Sequence, residues 1–229
     1  MRILSIFATV LLLAGPAFAD DAPATISVTG EGRVDAAPDM ATVSLGVTTD
    51  AETAGAAMAA NSDGVRGVLE RLKAAGIEGR DIQTSGLSLG PRYDYQKSDG
   101  TPPTIVGYTA SNMVTVRVRA LDTLGSVLDG VVTDGANTLN GLSFGIAEDQ
   151  AVMDEARGRA VADAARKAKL YAEAAGVSLG RVLSISEQGG YRQPVMMAEA
   201  GYAKSADVPV ASGEVSLTAS VAIVYEIAN

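Results

Sequence analysis

Apolar and polar residues alternate over Ile26-Ser27-Val28-Thr29 before two glycines, Gly30 and Gly32, and again after Pro38-Asp39, where Ala41, Val43, Leu45 and Val47 share one face. A period of two marks a half-buried strand, and the connection from Arg33 to Pro38 predicts that these strands pair as a hairpin. The spacing of Thr49 and Glu52 is that of a capping box and opens a helix to about Ala75, with Met58, Val65, Leu69 and Leu72 inward and Gly76 as its stop. Ile82 to Leu89 reads as a strand and Gly90 to Pro103 as an exposed loop. Ile105 to Val118 alternates again, with Val114, Val116 and Val118 inward and Arg117 and Arg119 toward water or a partner. Leu121 to about Thr133 predicts a short helix with Leu124, Leu128 and Val131 as its ridge, and Leu139 to Ile146 another strand.

The stretch from Glu148 to Gly176 is the longest helical signal. It has no proline, is crowded with alanine, carries acids early and most of its bases later, and ends on a glycine suited to a left-handed cap. A helix over about 148–175 would run about 40 Å, enough to cross a sheet. Helical spacing places Met153, Ala160, Val161, Ala164, Ala168, Tyr171 and Ala175 on one side. Arg181 to Glu187 follows as a strand, Gly189 to Ser212 as a long mobile loop, and Glu214 to Ile227 as the longest strand signal, with every second residue from Val215 to Ile227 on one face.

A device recurs within this order. Ala74-Ala75-Gly76-Ile77 precedes Ile82 as Ala174-Ala175-Gly176-Val177 precedes Val182, and Asp134-Gly135 before Leu139 is a looser third case. Each folds a helix back through a left-handed glycine onto the next strand. The pattern predicts an α+β protein: two α/β sandwich subdomains whose largely antiparallel sheets are covered by helices, residues 20–105 as ββαβ and residues 106–229 as βαβαββ.

The first nineteen residues stand apart. Arg2, an apolar run from Ile3 to Ala14 and the small residues of Ala17-Phe18-Ala19 form a secretory signal with cleavage expected after Ala19. No later stretch is apolar for the length of a membrane span, so no integral membrane segment is expected after cleavage, and export from the cytoplasm is expected. The 229 residues include no cysteine, histidine or tryptophan. This removes serine–histidine and thiol catalysis, thiol redox chemistry and the usual imidazole metal sites; no catalytic residue, metal site or cofactor is assigned. A net charge of −9 without a basic cluster makes nucleic acid and anionic membranes poor partners.

Three candidate chemistries remain. Gly30 and Gly32 lack the third glycine and following helix of a dinucleotide loop and read as a bulge or a close strand contact. Met196-Met197 in the 189–212 loop, with Met153 and Met58, could offer thioethers to cuprous ion, although paired methionines more simply anchor a loop; Tyr93 and Tyr95 could cap a ligand. Asp39 with Asp81 or Glu187 could serve as a carboxylate pair for hydrolysis, against which Asp39 after Pro38 reads as a turn-fixing residue.

Taken together, Ile26-x-Val28-x-Gly30-x-Gly32, Pro38-Asp39-x-Ala41-x-Val43-x-Leu45-Gly46-Val47, Asp81-Ile82-x-Thr84 with Pro91-x-Tyr93, Tyr108-x-Ala110-Ser111-Asn112 and Gly176-Val177-x-Leu179-Gly180-x-Val182-x-x-Ile185-x-Glu187 resemble the SIMPL-domain family of exported bacterial proteins. The resemblance implies a two-subdomain fold whose second part is plait-like, and assembly of some members into rings or barrels of many subunits. It also implies a link to oxidative-stress defence, and brings no established catalytic residues. The leading expectation is a non-enzymatic, self-assembling periplasmic protein, a homo-oligomer; the alternatives are a ligand or metal module built on the 189–212 loop and a carboxylate hydrolase.

Overall fold

The computed structural model describes residues 23–94, 102–189 and 210–228. Its elements run β1 (Thr25–Ala36), β2 (Met40–Ala51), α1 (Ala54–Ala74), β3 (Ile82–Asp94), β4 (Thr104–Val118), α2 (Leu124–Thr133), β5 (Thr138–Gly145), α3 (Gln150–Ala175), β6 (Ser178–Gln188) and β7 (Val215–Ala228). They form two antiparallel sheets, one ordered β1-β7-β6 and the other β3-β4-β2-β5. The α+β class holds.

Strand pairing overturns the expected hairpin. β1 pairs over its whole length with β7, from Thr25 opposite Glu226 to Ala36 opposite Val215, while β2 lies between β4 and β5. A linear division at residue 105 therefore falls inside β4 and does not match the sheets. The continuous segment from β2 to β5 forms one sheet with its helices, and it is inserted between β1 and the α3-β6-β7 segment of the other. The physical reason lies in the faces. Alternation tells a strand which side to bury but not which neighbour to take, and the alternating apolar face of β7 fits Ile26, Val28 and Val34 of β1 in register.

Each sheet has its own apolar core. In the inserted layer Val43, Leu45, Val114, Val116 and Val118 pack against Val65, Val68 and Leu72 of α1 and Leu124, Leu128 and Val131 of α2. In the other, Val28, Val34, Ala219, Val221, Ile223 and Tyr225 pack against Ala156, Ala160, Ala164 and Ala168 of α3.

The face of α1 is turned from expectation: Ala57, Asn61, Val65, Val68 and Leu72 are buried, and Leu69 is exposed. Its cap is Thr53, whose Oγ1 accepts the Ala56 N–H, because β2 runs on through the anticipated Thr49–Glu52 box to Ala51. β3 likewise continues to Asp94, through the start of the expected loop. Pro91 is tolerated there because β3 is an edge strand.

The recurring stop signal closes α1, α2 and α3 in one way. The Ile77 N–H donates to Leu72 O, Ala136 N–H to Val131 O and Val177 N–H to Ala172 O, at 3.0, 2.9 and 2.9 Å. The intervening Gly76, Gly135 and Gly176 all have positive φ. Each backbone turns once through a conformation that side chains disfavour and enters the next strand.

The buried row of α3 is strict: Ala156, Ala160, Ala164, Ala168 and Ala172, one every four residues. Val161 and Tyr171, expected inward, are exposed. The row meets Gly30 and Gly32 of β1. A Cβ on Gly30 would stand 2.1 Å from Ala160 O, and one on Gly32 2.0 Å from Ala156 O. The glycines thus admit a helix backbone, not a phosphate and not a neighbouring strand.

Candidate functional site

Two short segments join the layers, residues 37–39 between β1 and β2 and residues 146–149 between β5 and α3. They are tied to each other. The Asp39 N–H donates to Gly145 O at 3.1 Å, and Asp39 Oδ1 accepts the Ala147 N–H at 2.7 Å. Asp39 does fix backbone, as one reading of Pro38-Asp39 had it, but it reaches across 108 residues instead of closing its own turn.

Beside this junction opens a cleft of about 510 Å³ lined by Met40, Thr42, Arg117, Arg119, Ile146, Ala147, Glu148 and Asp149. Arg119 enters it already engaged. Its Nε and Nη2 donate to the two oxygens of the buried Asp81, each at 2.9 Å, a bidentate pair at the start of β3. That contact holds the Asp81 carboxyl below its usual range, against the opposing effect of burial. Arg117 and Arg119 were both expected to face water or a partner and both are exposed, Arg119 with 43% of its side chain accessible.

The pair has a testable pH signature. A carboxyl whose folded pKa is depressed contributes stability above its unfolded value, about 3.9, and loses it as pH falls through the folded value. Urea unfolding of wild type and Arg119→Ala should therefore differ at neutral pH and converge as pH falls below the ordinary carboxylate range. A gap unchanged over that range would show that the ion pair does not contribute.

The three carboxylates singled out as a possible catalytic pair are not brought together. Asp39 clamps the junction, Asp81 holds Arg119, and Glu187 on β6 accepts from Arg157 of α3 at 2.9 Å. The acids whose pKa moves, Asp35, Asp81 and Asp163, all move downward. A depressed carboxyl is a fixed charge at neutral pH, not a proton donor.

Among the described residues no group of three or more acidic side chains stands at metal-holding spacing. Met58 and Met153 lie on different helices, α1 and α3, in different layers. Met196, Met197, Tyr95, nearly all of the 189–212 stretch and the whole leader lie outside the described residues, and Tyr93 sits on β3 opposite Ile105.

The most organised polar array lies along the outer edge of β1. Lys167 Nζ donates to Thr29 O at 2.9 Å, the Glu31 N–H donates to Asp163 Oδ2 at 3.1 Å, and Arg159 Nη1 donates to Arg33 O at 2.6 Å. These three side chains lie four residues apart on one side of α3, so they meet alternate backbone groups of a strand running beneath. Asp163 also receives Lys167 and Arg166, and the Lys167 contact is the largest cause of its depressed pKa. Sequence reasoning saw these residues only as helix charges. The signal available was their i, i+4 spacing beside the Gly30–Gly32 strand.

Comparison with known proteins identifies relatives over most of the chain. The family model described as SIMPL, protein of unknown function (DUF541), matches residues 26–225. The chain is 44% identical over 237 residues to the 26 kDa periplasmic immunogenic protein of Brucella melitensis, covering 96% of this chain and 95% of that protein. It is 33% identical over 183 residues to the uncharacterized protein YggE of Escherichia coli K12, covering 80% of this chain and 73% of that one. YggE of Edwardsiella ictaluri is 35% identical over 169 residues, 74% of this chain and 70% of that protein. The match spans both sheets, from the glycine-bearing β1 to β7, and the chain belongs to the SIMPL family.

Proposed function

We propose that this protein is an exported, non-catalytic component of the periplasm that works as an assembly of identical copies. One observation carries the assembly: large apolar side chains stand bare on edge strands of a molecule whose two cores are already closed. Leu87 on β3 is 61% exposed, Leu139 on β5 60% and Ile185 on β6 59%. Scattered apolar residues are ordinary on a surface, but sheet edges that carry them are templates for a further strand. Export is supported by the leader over residues 1–19 and by the periplasmic relatives in Brucella. The absence of catalysis is supported by charged groups that are committed to ion pairs and backbone contacts.

The test is the native mass of the mature chain by light scattering at micromolar concentration. A mass several times that of one subunit is the expected result; a stable monomer overturns the assembly. We extend the reading to envelope defence on the link to oxidative stress that the sequence resemblance implies. A strain lacking the gene should then lose viability under peroxide and regain it with the wild-type chain.

A further inference from the structure

Arginine in this chain is a paired residue. Every arginine among the described residues forms an ion pair with an acidic side chain, with a single exception, Arg117. Arg117 lies exposed in the cleft beside the junction of the two layers. Glu148 lines the same cleft, is exposed as well, and forms no ion pair among the described residues. Two opposite charges thus share one cavity without meeting.

The backbone keeps them apart. Arg117 stands on β4 directly opposite Thr42 of β2, a position fixed by strand pairing. Glu148 belongs to the segment between β5 and α3, and its neighbour Ala147 donates its N–H to Asp39 Oδ1 at 2.7 Å. One side of the cleft is therefore sheet and the other is a clamped connection, with Met40, Thr42 and Ile146 supplying a mixed apolar and hydroxyl surface. The two sides are within electrostatic reach of each other. Arg119 has its pKa raised by the Asp81 contact first and, less, by the charge of Glu148. Asp81 takes both donors of Arg119 and leaves Arg117 as the guanidinium without a counterion.

We infer that this cleft binds a small zwitterion, its carboxylate on Arg117 and its ammonium on Glu148. An ion of one sign is a poorer fit, because an anion drawn to Arg117 also meets Glu148 and a cation drawn to Glu148 also meets Arg117. A molecule with both charges satisfies both sides, and a guanidinium offers a carboxylate two parallel donors. The volume of about 510 Å³ is in the range of small-molecule sites, about 300–1,000 Å³. Free amino acids and short peptides share this chemistry and differ in how far apart their charges stand. The inference is independent of self-assembly.

Isothermal titration calorimetry of the mature chain with alanine, dialanine and trialanine tests it, and the length that binds best tells a free amino acid from a peptide. Saturable binding is expected for at least one of them. Removing the ammonium by N-acetylation, or the carboxylate by amidation, should weaken that ligand about tenfold or more, the loss of one charged hydrogen bond. Arg117→Gln and Glu148→Gln, both at exposed positions and checked for folding by circular dichroism, should each do the same. Arg66→Gln, which removes a paired arginine on α1, should change nothing. Absence of saturable binding by all three lengths overturns the inference. So does an N-acetylated ligand that binds as tightly as the zwitterion, which would mark a simple anion site, or binding that survives in either cleft variant. The blocked ligands put the question to the unaltered chain, so a variant that fails to fold leaves the outcome decided.

Discussion

Gly32→Ala is expected to destabilise the β1-β7-β6 layer by about 3 kcal/mol or more, at or beyond the upper end of ordinary overpacking. The added methyl would need the space of Ala156 O, 2.0 Å away, and Ala160 N, 2.5 Å away. Those atoms belong to the backbone of a helix that three polar side chains also fasten to β1, so relief requires lifting α3 as a whole. Gly30→Ala should behave alike, with Ala160 O at 2.1 Å. Gly158→Ala is the internal control. It lies on α3 with nothing near its missing Cβ, so the change should stabilise the helix by about 1 kcal/mol. Urea unfolding followed by helix ellipticity measures all three; a Gly32→Ala midpoint equal to wild type would mean that α3 does not sit on β1 as described.

A chain stopped after Glu214 is expected to lose one layer completely and keep the other. β7 is the central strand of β1-β7-β6, and without it β1 and β6 have no partner and the α3 alanines no floor. The inserted layer owes nothing to β7: its core is drawn from β2, α1, β4, α2 and the Ala136 turn, with Ile82 of β3 and Phe144 of β5 packed against it. Hydrogen exchange should show slow amides at Val43, Val114 and Val116 in the truncated chain and fast exchange through 150–175. Loss of protection in both layers would show that the two cores fold only together, making the junction at Asp39 and Ala147 an obligate part of each.

The junction also shows how much of the candidate site was legible. Absent histidine and cysteine had already removed most catalytic schemes, and that is a property of composition alone. That Asp39 would meet Ala147 and Asp81 would meet Arg119 was not visible, because both contacts join segments distant in the chain: 108 residues in one case, 38 in the other. The same limit applied to Asn61. A lone asparagine in a glycine-weakened helix reads as a surface residue, yet it is buried, and its Nδ2 donates to Val47 O at 2.7 Å and Ala110 O at 3.1 Å. Its partners exist only once two strands and a helix have met.

Local rules did settle a good deal. Period-two stretches became strands, the proline-free alanine run became α3, and the three glycine stops close their helices by the same bond, because each depends on neighbours within a few residues. What tertiary structure alone decided was partnership. An alternating strand presents the same face to any neighbour, so nothing in β1 names β7 instead of β2. Likewise α3, with alanine on almost every side, let the sequence place Ala160, Ala164 and Ala168 inward but not separate them from Val161 and Tyr171, which are exposed. The choice fell to Gly30 and Gly32, more than a hundred residues away, where the missing side chains leave a floor low enough for that helix backbone to rest on.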